Sequence, residues 1–235
     1  MQHYNKISLG KISLAMAGVM LASSAQAVTL DIRHEYKHHS DQHATRVKVS
    51  DSINNFYYGL ETKFGAEKDS DGSQAAMSNL ERGDSEIDWG FKFKLDENWY
   101  IQPGMPIAFG DNKYALKPQL RIGYKASSIP LTTALRYRRE FVNDSEDYHD
   151  DYQQNKVTFT MSYNHGKNKY WLEANYYKNE DKDIYDNTRE NYDYILSAGR
   201  RIGSWFPYLE LADVSSSSSS DTRQLKTRVG LKYYY

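Results

Sequence analysis

The sequence predicts an all-β chain closed into a transmembrane antiparallel β-barrel of twelve strands, with short periplasmic turns and longer outer loops. Three observations carry that expectation. The last eleven residues alternate, with Leu225, Thr227, Val229, Leu231, Tyr233 and Tyr235 on one face and Lys226, Arg228, Gly230, Lys232 and Tyr234 on the other. Period-two alternation gives a strand one apolar and one polar side. The N-terminus has the order of an export signal: Lys6 and Lys11, an apolar run from Ile12 to Leu21, then Ala25-Gln26-Ala27 as a small-residue cleavage site. Finally, alternating segments recur along the whole remaining chain. A closed barrel is the sheet form that can span lipid, because closure satisfies every backbone N–H and C=O.

Residues 1–27 are therefore expected to be a signal peptide and 28–235 a single outer-membrane barrel. The signal's apolar run is too short for a spanning helix. Twelve alternating segments follow: 28–37, 45–50, 56–64, 85–95, 99–109, 114–125, 131–141, 156–163, 170–178, 191–200, 206–213 and 222–235. Their length suits tilted barrel strands; ten strands would result if two weak segments merged. Connections alternate between short (51–55, 96–98, 126–130, 164–169, 201–205) and longer polar ones (38–44, 65–84, 142–155, 179–190, 214–221), and only 110–113 breaks the pattern. An even strand number leaves both termini in the periplasm and puts the longer connections outside. The runs Asp144–Asp151 and Val214–Ser220 fall in such loops and read as solvated segments. Pro103, Pro106 and Pro118 remove ladder donors in a sheet without edges, so bulges or strand ends near the rim are expected there.

Composition agrees with this class. No later segment approaches the roughly 18 apolar residues of a spanning helix. The chain is 39% hydrophobic with a mean hydropathy of −0.81, and a barrel tolerates such polarity because alternate residues face a wet interior. Without the signal, 28 basic residues face 31 acidic ones, a net charge of −3. No cysteine is present, which excludes a disulfide framework, a thiol nucleophile and a thiolate metal site. The 21 tyrosines suit interfacial aromatic girdles or a carbohydrate surface equally.

Parity then assigns the faces. If Leu30, Ile32, Val47, Val49, Leu60, Ile87, Trp89, Phe91, Leu120, Ile122, Leu135, Phe159, Leu209 and Val229 meet lipid, their neighbours line the lumen. The lumen receives fifteen cations: Arg33, Lys37, Arg46, Lys48, Lys63, Lys92, Lys94, Lys117, Arg121, Arg136, Arg138, Lys156, Lys226, Arg228 and Lys232. Nine anions share it: Asp31, Glu35, Glu61, Glu86, Asp88, Glu140, Glu173, Asp193 and Glu210. The excess acid falls in outer loops such as Glu67-Lys68-Asp69-Ser70-Asp71. Twelve strands enclose more space than eight, which side chains fill. A passage ringed by Lys and Arg favours anions, and the arginine fork pairs bidentately with carboxylates. The competing reading is a filled barrel whose cations only neutralise lumenal carboxylates; Glu140 beside Arg138 and Glu35 beside Arg33 suit it.

Other chemistry is weakly indicated. His34, His38, His39 and His43 cluster around the first outer loop; without a supporting carboxylate spacing they read as an exposed polar loop, and no metal or cofactor is expected. No constellation of nucleophile, base and orienting group is found, so no enzyme is expected. The rival classes are a barrel enzyme acting on lipid or peptide and a plugged structural or adhesive barrel.

Several segments together carry a resemblance. They are Asp31-Ile32-Arg33-His34-Glu35-Tyr36, Arg46-Val47-Lys48-Val49-Ser50, Gln102-Pro103-Gly104, Lys117-Pro118-Gln119-Leu120-Arg121, Arg136-Tyr137-Arg138-Arg139-Glu140, Trp171-Leu172-Glu173-Ala174-Asn175-Tyr176, Pro207-Tyr208-Leu209-Glu210 and Thr227-Arg228-Val229-Gly230-Leu231-Lys232-Tyr233. In this order, over nearly the whole chain after the signal, they resemble the small monomeric porins specific for oligogalacturonate (the KdgM family). The resemblance implies a twelve-stranded monomeric outer-membrane porin whose arginine-rich bore passes acidic sugars from pectin breakdown, or sialic acid in a sister branch. Carried over residue by residue, the bore arginines are Arg33, Arg46, Arg121, Arg136, Arg138 and Arg228, with Lys48 and Lys117 in support. The partners implied are an acidic oligosaccharide, outer-membrane lipid and lipopolysaccharide, and the barrel-assembly machinery through the C-terminal aromatic strand, with no nucleic acid. The departures are the outer loops and Arg139, which parity turns toward lipid or the interface.

Overall fold

A computed structural model describes residues 28–66, 80–110, 112–144 and 151–235. The signal segment, the acidic run at 67–71 and most of 144–151 lie outside the described residues. Twelve strands follow one another: β1 (Thr29–Lys37), β2 (Gln42–Ile53), β3 (Phe56–Ala66), β4 (Leu80–Phe91 and Phe93–Lys94), β5 (Trp99–Gly104 and Ile107–Phe109) and β6 (Lys113–Leu116 and Gln119–Lys125). The second half is β7 (Leu131–Asp144), β8 (Tyr152–His165), β9 (Asn168–Asn179), β10 (Glu190–Arg200), β11 (Trp205–Ser215) and β12 (Arg223–Tyr234). Each pairs antiparallel with its sequence neighbours, and β1 closes on β12 from Thr29↔Tyr234 to Lys37↔Lys226. No edge is left open, so the alternative of ten strands is excluded.

The short turns are built where backbone chemistry allows them. Ile53↔Phe56 and His165↔Asn168 close around two residues each. Asn54 (φ 54) and Gly166 (φ 57) take the left-handed conformation that such hairpins need. At the opposite end, the loop between β9 and β10 folds into its own small hairpin, with Asp186 and Asn187 at positive φ. It docks on the loop between β11 and β12 through Asn187 N–H to Ser218 O and Tyr185 O–H to Asp221 O.

The prolines correct the expectation of bulges or rim positions. Pro106 and Pro118 lie in mid-strand, splitting β5 and β6, and the register runs through both interruptions unchanged. Ile87↔Ile107 on one side of the first gap and Gly90↔Gly104 on the other keep the same alignment, as do Phe141↔Leu116 and Arg138↔Gln119 around the second. The proline carbonyls still accept, from Lys117 N–H at 2.9 Å and Arg139 N–H at 3.0 Å. Pro103 stays within β5, opposite Leu120. The register shift that does occur lies between β3 and β4, at Thr62/Phe64.

The packing is inverted relative to a water-soluble protein. Buried residues include Asp31, Arg138, Thr158, Asn175, Ser197 and Glu210, whereas Ile32, Leu120, Leu135 (55% exposed), Phe159, Leu209 and Val229 (63% exposed) face outward. In lipid this apolar exterior costs nothing, and the polar groups satisfy one another inside. Outward aromatics gather at both ends: at the short turns Trp99 lies 4.9 Å from Tyr124 and Trp205 lies 4.6 Å from Tyr233 between ring centroids, and Tyr114, Tyr176 and Tyr192 are exposed toward the longer loops. Trp and Tyr favour those interfacial levels.

Candidate functional site: the charged bore

All eight cations carried over from the resemblance project into the barrel, but they fall into two sets. On the wall formed by β11, β12 and β1–β3, every one has an acidic partner. Arg33 Nη1 donates to Glu210 Oε1 at 3.2 Å, and Arg228 Nε to Glu35 Oε2 at 2.9 Å. Arg228 also approaches Glu210 to 3.8 Å. Arg46 bridges Asp31 at 2.5 Å and Glu61 at 3.3 Å, and Lys48 lies 3.9 Å from Glu61 and 4.0 Å from Asp88. The Tyr208 hydroxyl completes Asp31 at 2.7 Å. The cross-strand partners are Glu35↔Arg228 and Glu210↔Arg228, so register makes this network. Glu35 therefore pairs with Arg228 on the neighbouring strand, correcting the sequence pairing of Glu35 with Arg33.

The facing wall, β6–β8, lies half the ring away. Its outer part is also paired: Lys117 donates to Glu86 at 2.8 Å, and Arg138 holds Gln119 Oε1 at 2.7 and 3.0 Å and lies 3.7 Å from Glu140. Below it on β6 and β7, and beside it on β8, the pairing stops. Arg136 donates to the Thr158 hydroxyl at 3.0 Å, which donates to Asn175 Oδ1 at 2.8 Å, whose amide donates to Glu173 at 2.8 Å. The Arg136 Nε has no hydrogen-bond partner among the described residues. Lys156, the cross-strand partner of Arg138, sits 4.7 Å from the centre of the Tyr177 ring with no ion pair among the described residues. Arg121, the cross-strand partner of Arg136, makes neither an ion pair nor a side-chain hydrogen bond among the described residues. Pairing with an acid thus describes the four carried-over cations of the first wall, whereas Lys37 and Lys226 on that wall make no ion pair among the described residues.

The periplasmic third of the bore is aromatic, a feature the charge-based sequence analysis missed. Tyr57, Tyr100, Phe206 and Tyr208 each lie over an inward glycine of an adjacent strand. A Cβ on Gly123 would stand 2.1 Å from the Tyr100 ring, and one on Gly230 the same distance from the Tyr208 ring. A glycine is required at both places because the ring occupies the space a side chain would need. Two cavities open here, of about 360 Å³ and 370 Å³, and Arg121 lines both. Lys169 and Trp171 line the first. Stepping back by two from Glu173 along β9 gives both positions, so parity would have found them.

The histidine cluster lies on the lipid side of the wall. His34 Nε2 is 3.1 Å from His43 Nδ1 and its Nδ1 3.0 Å from Thr45 Oγ1, with Tyr36 stacked on His43 at 4.6 Å. His34 belongs to β1, so the group is rim structure more than loop. No group of three or more metal-ligating side chains occurs among the described residues. Arg139 also faces outward, as parity expects: its fork holds Glu180 at 2.5 and 2.7 Å, with Asn155 and Gln153 completing it.

A closed twelve-stranded barrel with an apolar exterior and a charged interior is the architecture of an outer-membrane porin. Residues 21–235 match the family described as "Oligogalacturonate-specific porin protein (KdgM)", and the chain belongs to that family. It is 30% identical over 229 residues to a protein called YiiY from Salmonella typhimurium, covering 97% of this chain and 99% of that one. It is 26% identical over 240 residues to the oligogalacturonate-specific porin KdgM of Dickeya dadantii, covering 95% and 98%. Among solved structures, the NanC porin superposes with a TM-score of 0.73 at 18% identity, over 87% of this chain and 98% of that one. That likeness concerns the fold.

Proposed function

We propose that this protein is a passive, anion-preferring channel for small acidic oligosaccharides, with oligogalacturonate as the substrate class. No bond is made or broken: transport runs down the gradient and the barrel acts only through electrostatics and transient pairing. The observation that carries the reading is the cross-strand pair Arg121 and Arg136 together with Lys156 on β8, cations on the bore wall without an ion-pair partner among the described residues. A sugar carboxylate can meet them without displacing an internal acid, whereas at Arg33 or Arg46 it competes with Glu210 or Asp31. Positive side chains around a narrow bore favour anions, and several weak sites in series let a ligand leave as readily as it enters.

The same reading makes the protein a monomer with its apolar face against lipid and lipopolysaccharide. Its C-terminal aromatic strand is the element offered to the barrel-assembly machinery, and residues 1–27 are the export signal. The test is flux into liposomes of acidic and neutral sugars of equal length. Arg136→Ala combined with Arg138→Ala should slow the acidic sugar far more than the neutral one. Equal loss of both would leave a nonselective pore and defeat the proposal.

A further inference from the structure

We infer that Trp171, flanked by Lys169 and Lys232, forms a stacking subsite for one uronate ring at the periplasmic end of the bore. The inference rests on the acidic-sugar reading above and adds a residue type that charge alone does not require. Trp171 follows from register: it opposes Ser162 on β8 and Ser197 on β10, and between these small neighbours its ring lines the bore, with the Lys169 and Lys232 ammonium groups over it. Phe206 and Tyr208 pack against it at a tilt, with ring centroids 6.3 and 5.8 Å away. The resulting cavity of about 360 Å³ lies within the range of roughly 300–1,000 Å³ that small-ligand sites occupy.

Charge around that ring is unbalanced. Lys169 Nζ lies 5.8 Å from the ring centre, with no ion pair or side-chain hydrogen bond among the described residues. Lys232 Nζ lies 6.0 Å from the same centre and shares Asp31 only at 3.9 Å. Arg121 reaches the cavity from β6, and Glu173, already held by Asn175, is its one acidic lining residue. A pyranose presents a face of C–H groups to the negative face of an indole. Its carboxylate, at the ring edge, then falls beside an ammonium, a compact donor that adapts to several poses. A flat uronate matches both halves of the site; a flexible polycarboxylate matches only the charges.

The experiment measures half-blocking concentrations of trigalacturonate and citrate, both carrying three carboxylates, on single channels in planar bilayers. Trp171→Ala should raise the trigalacturonate value roughly three- to tenfold, the range of one aromatic contact, and leave citrate within twofold. Trp171→Phe should fall between wild type and alanine. Heat-modifiable gel mobility and an unchanged chloride preference identify correctly folded variants. An unchanged trigalacturonate block, or equal loss for both acids, overturns the subsite while leaving the channel reading intact. A wild-type channel that prefers potassium overturns the channel reading, and the subsite with it.

Discussion

Removing the guanidinium of Arg121 separates the two walls of the bore. Arg121→Gln takes away a charge with no ion-pair partner among the described residues, whereas Arg33→Gln takes away one bound to Glu210 at 3.2 Å. Each lowers the bore charge by one, so both should reduce the preference for chloride. They should differ in block by trigalacturonate. A carboxylate about 4 Å from a cation gains about 1 kcal/mol in water and about 4 kcal/mol at the effective dielectric of a protein surface. A water-lined bore lies near the lower figure, and about 1 kcal/mol is a factor of about five. Arg121→Gln should therefore weaken block by about fivefold at low salt, and Arg33→Gln by much less, because Glu210 already competes for that site. Screening lengths fall from about 10 Å at 0.1 M salt to about 3 Å at 1 M, so the Arg121 effect should shrink with salt. Equal loss in the two variants, or a loss independent of salt, would refute the assignment of Arg121 as free and Arg33 as paired.

Two further outcomes follow from local geometry. Gly123→Ala puts a methyl 2.1 Å from the Tyr100 ring, so the tyrosine must swing into the bore; conductance should fall and unfolding should become easier by about 1–3 kcal/mol, and Tyr100→Ala in the same chain should restore both. At the outer rim, the Arg139 fork holds the Glu180 carboxyl below the usual carboxylate range. The pairing is complete above the ordinary carboxylate pKa and is lost as pH falls through the lowered one. Tryptic cleavage at Lys182 or Arg189 should thus be slow at neutral pH and become fast in Arg139→Ala; equal rates would show that the pair does not hold the loop.

Strand parity was legible in the sequence because lipid outside and water inside demand it at every second position. That demand placed Arg33, Arg46, Arg121, Arg136, Arg138 and Arg228 inside, and Leu135 and Val229 outside. It could not say which carboxylate each cation meets. Glu35 and Glu210 find Arg228 and Arg33 across strands, and cross-strand register depends on closure and stagger, not on sequence neighbourhood. Pro106 and Pro118 were misjudged for a related reason. Lone proline suggests a break, but two on adjacent strands let the ladder skip the missing donors together without slipping. The aromatic end of the bore was hidden because tyrosines and glycines mean little singly. Tyr100 over Gly123 and Tyr208 over Gly230 are pairs only once the strands are aligned.

The most direct measurement is the reversal potential of single channels in a potassium chloride gradient. An excess of unpaired cations on the bore wall predicts a sign showing chloride crossing faster than potassium, with trigalacturonate interrupting the current. A potential of the opposite sign would mean that the inward carboxylates govern the bore, and the account of acidic-sugar passage would be wrong.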